Sequence, residues 1–488
     1  MDTLKNYFRL EENHTNTSTE IMAGLSTFFA MSYIIFVNPS VLSQTGMPYQ
    51  GVFLATIFSS AIATLFIGLY ANVPYALAPG MGLNAFFTYT VCLGLQFTWQ
   101  EALAMVFICG IVNILITITS VRRTIIQAIP KDLQHAISAG IGVFIAYIGL
   151  KSANFIQFSI EPSHITSINN QAFNATQEMY SGGIRSLTTN GGPVPAISSF
   201  TDPTTLVALV GLVITVLLVV RQVRGAILIG ILATTALHII IEPSVLSSIN
   251  FQENGLGQSF SQLGVTFGAA FGQNGFVSLF GNLSRLPLVI VTIFAFSLSD
   301  IFDTIGTFIG TGRATGIFTQ EDIDNISHAS NTKLDKALFG DVVGTSLGAI
   351  FGTSNTTTFA ESGVGITAGG RTGMTSLITA LCFVLCIFIA PFVSLVPAAA
   401  TAPALIIVGV MMMSEFTEID WNNLVVAIPG FFASIFMGYS YSISNGIAAG
   451  FIFYCLTMTV TGQAKKVHPI LWAVSALFII NYIIMAFL

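Results

Sequence analysis

The chain alternates apolar runs of membrane-spanning length with short polar connections. A bilayer core needs about 20 apolar residues per helix. Runs at 20–37, 51–70, 99–120, 131–150, 203–220, 224–241, 286–312, 335–351, 374–396, 401–415, 421–439 and 442–461 predict spanning helices. Two further stretches, 73–94 and 353–370, are apolar but interrupted by Pro, Gly or consecutive Thr. Counting both gives about 14 crossings by the length rule. The apolar tail 468–488 reads equally as one more span or as an interfacial helix.

The interrupted stretches carry the most information. The first reads PYALAPGMGLNAFFTY from Pro74 to Tyr89, the second SNTTTFAESGVGITAGG from Ser354 to Gly370. Pro79 lacks an N–H, and Thr356, Thr357, Thr358 and Phe359 favour extended backbone. In each, a run of small residues that can open a helix follows. Extended backbone at membrane depth must be satisfied by protein or by a cavity. The two fall at matching places, third in the first half and third in the second, which points to inverted repeats with a site at the midplane. The competing reading is a pair of structural kinks.

Of 488 residues only 8 % are charged and 53 % are hydrophobic, against roughly 25 % charged in a soluble protein. That excludes a cytosolic enzyme and a disordered chain. With the N-terminus inside, Lys5, Arg9, Arg122, Arg123, Lys131, Arg221, Arg224, Arg313, Lys333, Lys336, Arg371, Lys465 and Lys466 are cytoplasmic. Lys151, Arg185 and Arg285 fall outside, an asymmetry that obeys the positive-inside rule. The long polar stretches 151–202 and 242–285 then face outward. A net charge of −6 offers no basic patch for nucleic acid. The five cysteines lie in apolar runs and read as packing residues. No P-loop, H-E-x-x-H or Cys/His cluster is present, so no cofactor or metal is expected. Residues 344–348 match G-x-S-x-G but lie in a predicted membrane helix, where small residues serve close packing.

Asp300, Asp303, Asp341 and Glu361 fall inside predicted spans. Each costs about 2.5 kcal/mol or more at a helix centre, so function is the default reading. Ser297, Asp300, Asp303, Thr304, Thr307 and Thr311 share about a third of one helix's circumference. Acids without a compensating Lys or Arg in the neighbouring spans suit a cation or a neutral ligand rich in N–H donors. The bland alternatives are interhelical hydrogen bonds for the acids and helix capping for Asn84.

With these residues the chain resembles the nucleobase:cation symporter-2 (nucleobase/ascorbate transporter) family, in its AzgA-like hypoxanthine/guanine/adenine permease branch. The matching stretches are GLSTFFAMSYIIFVNPSVL (24–42), APGMGLNAFFTY (78–89), SDIFDTIGTFIGTG (299–312) and GTSNTTTFAESGVGITAGGRTG (352–373). The resemblance implies an all-α polytopic fold of seven-plus-seven inverted repeats. After a leader at 1–19, its core domain would comprise 20–120 and 286–396, its gate domain 131–241 and 401–461, with a terminal helix at 468–488. It implies elevator-like proton symport of purine nucleobases by a homodimer in the plasma membrane. Carried over by motif, Asp300 and Glu361 bind substrate, as do Asn84, Gly82 and Leu83 on the other arm. Phe359 and Ala360 would present backbone N–H groups to the ligand, and Asp303 and Asp341 would serve proton coupling. A uracil or xanthine permease, an anion carrier of the same fold and an intramembrane hydrolase are the weaker alternatives.

Overall fold

The computed structural model describes residues 2–119, 128–159, 165–168, 171–172, 187–190, 194–243, 255–281, 285–319, 322 and 332–487. Arg122, Arg123 and Arg185 lie outside the described residues, as do the side chains of Phe302, Thr311 and Arg313.

The first half runs α1 (Thr17–Met31), α2 (Ile34–Leu42), α3 (Tyr49–Ala71), strand β1 (Leu77–Pro79), the short α4 (Met81–Ala85) and α5 (Trp99–Ile118). Helices α6 (Lys131–Ser152), α7 (Pro203–Val220) and α8 (Ala226–Ile241) follow. Between α6 and α7 lie strands β2 (Ile156–Ser159), β3 (Ile165–Ile168), β4 (Gln171–Ala172), β5 (Leu187–Thr189) and β6 (Val194–Ile197). The second half runs α9 (Leu286–Thr315), α10 (Lys333–Phe351), strand β7 (Thr356–Thr358), the short α11 (Ser362–Thr367) and α12 (Gly373–Leu385). It ends with α13 (Ala398–Met412), α14 (Leu424–Ala433), α15 (Ile443–Val460) and α16 (Pro469–Phe487). Among the described residues, nine helices are long and apolar enough to cross a membrane. The chain is therefore a multi-pass membrane protein.

Local sequence sets the helix starts. Thr98 and Glu101 form a reciprocal capping box on α5, and Thr332 and Asp335 form another on α10. Asn16 caps α1 by accepting from the Thr19 amide at 3.0 Å. Glycines let helices close on one another: a Cβ on Gly373 of α12 would collide with the Gly68 carbonyl of α3, and Gly142 of α6 meets Gly409 of α13 in the same way.

Three features depart from the hydropathy pattern. The polar stretch 151–202 contains strands, with β2 pairing β6 and β3 pairing both β4 and β5, so the fold is not purely helical. The first span, Thr17–Thr45, is divided into α1 and α2 at Ser32–Tyr33, where the backbone angles stay helical and no Pro or Gly announces the junction. Polar residues 256–266 form a helix that packs on α3, where Gln262 Oε1 accepts from the Gln50 amide at 3.2 Å. Its Gln and Ser content hides it from a search for spans.

Candidate functional site

Strands β1 and β7 come from opposite halves of the chain and pair antiparallel, Leu77 with Thr358, Ala78 with Thr357 and Pro79 with Thr356. The pairing is extended at both ends, where Gly80 N donates to Asn355 O and Phe359 N to Ala76 O, each at 3.0 Å. Side chains complete the set: Ser362 Oγ accepts from Ala76 N at 3.0 Å, and Thr64 Oγ1 accepts from Leu77 N at 2.8 Å. Buried strand backbone is thus satisfied without water. One consequence corrects the sequence reading. The Phe359 N–H is committed to Ala76 and cannot also face a ligand.

Beside β7, two acids are sealed in protein. Asp300 and Asp341 are each 1 % exposed. Asp341 Oδ1 accepts from Thr358 N and Thr358 Oγ1 at 2.7 Å and from Thr357 Oγ1 at 3.2 Å. Its Oδ2 accepts from Thr304 Oγ1 at 2.7 Å. Asp300 Oδ2 accepts from Asn113 Nδ2 of α5 at 2.9 Å and from Thr345 Oγ1 of α10 at 3.0 Å. The arrangement is reciprocal. Asp300 and Thr304 stand one turn apart on α9, Asp341 and Thr345 one turn apart on α10, and each Asp takes the other helix's Thr. Ser297 holds the Asn113 carbonyl oxygen and so fixes that amide toward Asp300.

At Asp303 and Glu361 the setting differs. Ala360 is exposed, and Glu361 and Asp303 are half-buried. Glu361 sits at the start of α11, and Tyr33 Oη donates to its Oε1 at 2.7 Å. The Tyr33 ring tilts against Phe359 with centroids 6.5 Å apart. The Asp303 carboxylate faces Gly80, where a Cβ would stand 3.8 Å from its Oδ2, and it interacts electrostatically with both Asp341 and Glu361. The structure therefore leaves Asp303 between Asp341 and Glu361 and turns Asp300 toward Asn113 and Thr345.

On the other arm, Gly82 and Leu83 lie in the first turn of α4, whose amides have no carbonyl partner within the helix. A Cβ at Gly82 would strike Ile141 of α6, so glycine permits the close approach there. Asn84 is fully buried; its side-chain oxygen accepts from Ser354 Oγ, and its Nδ2 reaches Pro79 O at 3.4 Å. It ties the two broken segments together. Arg371, the basic residue nearest Glu361 in sequence, donates to the Ile366 and Gly370 carbonyls at 2.7 and 2.8 Å and does not face the acid.

Tyr33, Asn113 and Thr345 escape the sequence reading. Asn113 stands as a lone polar side chain in the apolar run of α5, and the spacing of Asp341 and Thr345 repeats that of Asp300 and Thr304. Those signals were available. Tyr33 in FFAMSYIIF gives none beyond its hydroxyl.

A model of a permease family matches residues 18–180 and 190–449. The chain is 36% identical to the guanine/hypoxanthine permease PbuO of Bacillus subtilis, over 98% of this chain and 100% of that protein. It is 34% identical to the adenine permease AdeP of Escherichia coli, over 98% of this chain and 96% of that one. Its fold is similar to the transmembrane domain of the cyanobacterial bicarbonate transporter BicA, with TM-score 0.52 and 15% identity over 91% of this chain and 97% of that chain. These matches make it a transport protein and not an enzyme. The chain belongs to the nucleobase:cation symporter-2 family of permeases.

Proposed function

We propose that this protein imports purine nucleobases, guanine, hypoxanthine and adenine, by proton symport across the plasma membrane, with its N-terminus in the cytoplasm. The observation that carries the reading is the half-buried Glu361, held by Tyr33 and interacting with Asp303, with no basic side chain turned toward it among the described residues. A carboxylate set so takes N–H donors and repels anions. The names of PbuO and AdeP support the substrate class.

In this reading Glu361 accepts from a ring N–H, the Phe359 ring supplies an apolar wall, and Ala360, Gly82 and Leu83 lend backbone groups. Asn84 braces the arms. Asp303, between Glu361 and the sealed acids, carries the coupling proton, while Asp300 and Asp341 serve as scaffold in place of the roles the resemblance gives them. Fourteen crossings follow when Ala226–Ile241, Leu424–Tyr439, Lys333–Phe351 and the two strand-bearing segments join the nine long helices, the tail being extra. The core, 20–120 with 286–396, then moves as an elevator against the gate, 131–241 with 401–461, in a homodimer. Protonation of Asp303 removes a buried charge before that movement and lowers its cost.

The test is uptake of labelled guanine, hypoxanthine, adenine, uracil and xanthine by proteoliposomes with an imposed pH gradient. Purine accumulation that collapses with the gradient supports the reading. Uptake confined to uracil or xanthine would replace it.

A further inference from the structure

Tyr33 stands in the first span at the junction of α1 and α2, and its side chain is 1 % exposed. Its hydroxyl reaches across 328 positions of sequence to Glu361. A phenol has one hydrogen to donate, and here that hydrogen is spent on Glu361 Oε1 at 2.7 Å. What remains on the Tyr33 oxygen is acceptor capacity, strengthened because the O–H is polarised by the carboxylate it serves. The partner is half-buried, and its chain neighbour Ala360 is exposed. Tyr33 and Glu361 thus offer two acceptors side by side and no side-chain donor between them.

We propose that Tyr33 is a specificity-determining residue of the ligand site, accepting a hydrogen bond from an exocyclic amino group while Glu361 takes the adjacent ring N–H. Among purines this edge fits a 2-amino-6-oxopurine. Guanine presents its N1–H and its 2-amino group as neighbouring donors. Hypoxanthine supplies the ring N–H but leaves the Tyr33 oxygen without a donor. Adenine places the acceptor N1 beside its amino group, so on that edge an acceptor faces Glu361 or Tyr33. The order of preference follows as guanine, hypoxanthine, adenine. Tyr33 also fixes the Glu361 carboxylate, but that positioning acts on every purine alike.

This inference rests on the purine-transport reading, and one set of measurements separates the two. Concentration-dependent uptake of guanine and of hypoxanthine is measured with wild-type and Tyr33→Phe protein in proteoliposomes, with the reconstituted amount of each checked. The substitution keeps the ring and removes one oxygen. A neutral hydrogen bond contributes about fivefold in affinity, so wild type should show a KM for guanine about fivefold below that for hypoxanthine. In Tyr33→Phe the two values should converge, through a larger rise for guanine. Equal KM values in wild type overturn the assignment without any variant. A Tyr33→Phe protein that raises both values by the same factor overturns it too, since that is the signature of positioning alone. Failure of wild type to take up either purine would bring down the transport reading and this inference with it.

Discussion

Four acids lie close to the short strand β7, and they divide by burial. Asp300 and Asp341 are 1 % exposed and together receive hydrogen bonds from Asn113, Thr304, Thr345, Thr357 and Thr358. Asp303 and Glu361 are half-buried, and Glu361 takes the hydroxyl of Tyr33. Residue type, depth along the helix and distance in sequence hardly distinguish Asp300 from Asp303. Their neighbours do. A carboxylate held by fixed donors on both oxygens, as Asp341 is, resists exchange because a change of partner would leave buried donors unpaired, whereas Asp300 is held on Oδ2 alone. An accessible carboxylate can exchange its partners with a ligand or a proton.

That comparison breaks most visibly at Asp341. Asp341→Ala strips the Thr358 amide and three hydroxyls of their acceptor. Loss of about 3 kcal/mol or more is expected for a buried charged network cut on one side. The measurement is thermal unfolding in detergent together with the yield of monodisperse protein. Normal yield and an unchanged transition would show that the cluster does not hold β7.

Glu361→Gln should do the reverse. An amide turns a donor toward the purine N–H, so uptake should fall about 100-fold, the equivalent of two factors of ten at about 1.4 kcal/mol each. The unfolding transition should stay near that of wild type, since the partner is one hydroxyl. Retained uptake would place the ligand elsewhere.

Asp303→Asn sharpens the division within the open pair. Counterflow exchange of purine should stay within about threefold of wild type, a cost of less than 1 kcal/mol. Accumulation driven by a pH gradient should vanish. Loss of exchange as well would make Asp303 a ligand contact, and unchanged accumulation would remove it from coupling.

The smallest effect belongs to Thr345→Val, which removes one donor from Asp300 and keeps the shape of the side chain. A cost of about 1 kcal/mol in stability is expected, with KM for purines unaltered. A shifted KM would connect the sealed pair to the ligand.

Much of this was legible in advance. Pro79 and the Thr356–Thr358 run favour extended backbone, and strands lie there. The polar stripe on α9 contains Asp300 and Thr304, which are buried, and Asp303, which is half-buried. What the stripe does not reveal is how its members divide. Asp300 meets Thr345, 45 positions away, and Asn113, 187 positions away. Asn84 likewise reads as a helix cap until Ser354, 270 positions on, is found against its oxygen.

The sequence by itself determined that this chain lives in a bilayer, where its long apolar helices run, and which few charged residues fall among them. Those are consequences of local composition, since transfer of a segment into hydrocarbon depends on that segment's own side chains. Tertiary structure alone decided the pairing of β1 with β7, the reciprocal bonds between Asp300, Thr304, Asp341 and Thr345, and the meeting of Tyr33 with Glu361. A hydrogen bond acts over about 3 Å and joins whatever the fold brings together. The role of a buried acid is therefore a property of its surroundings, and the surroundings come from both halves of the chain.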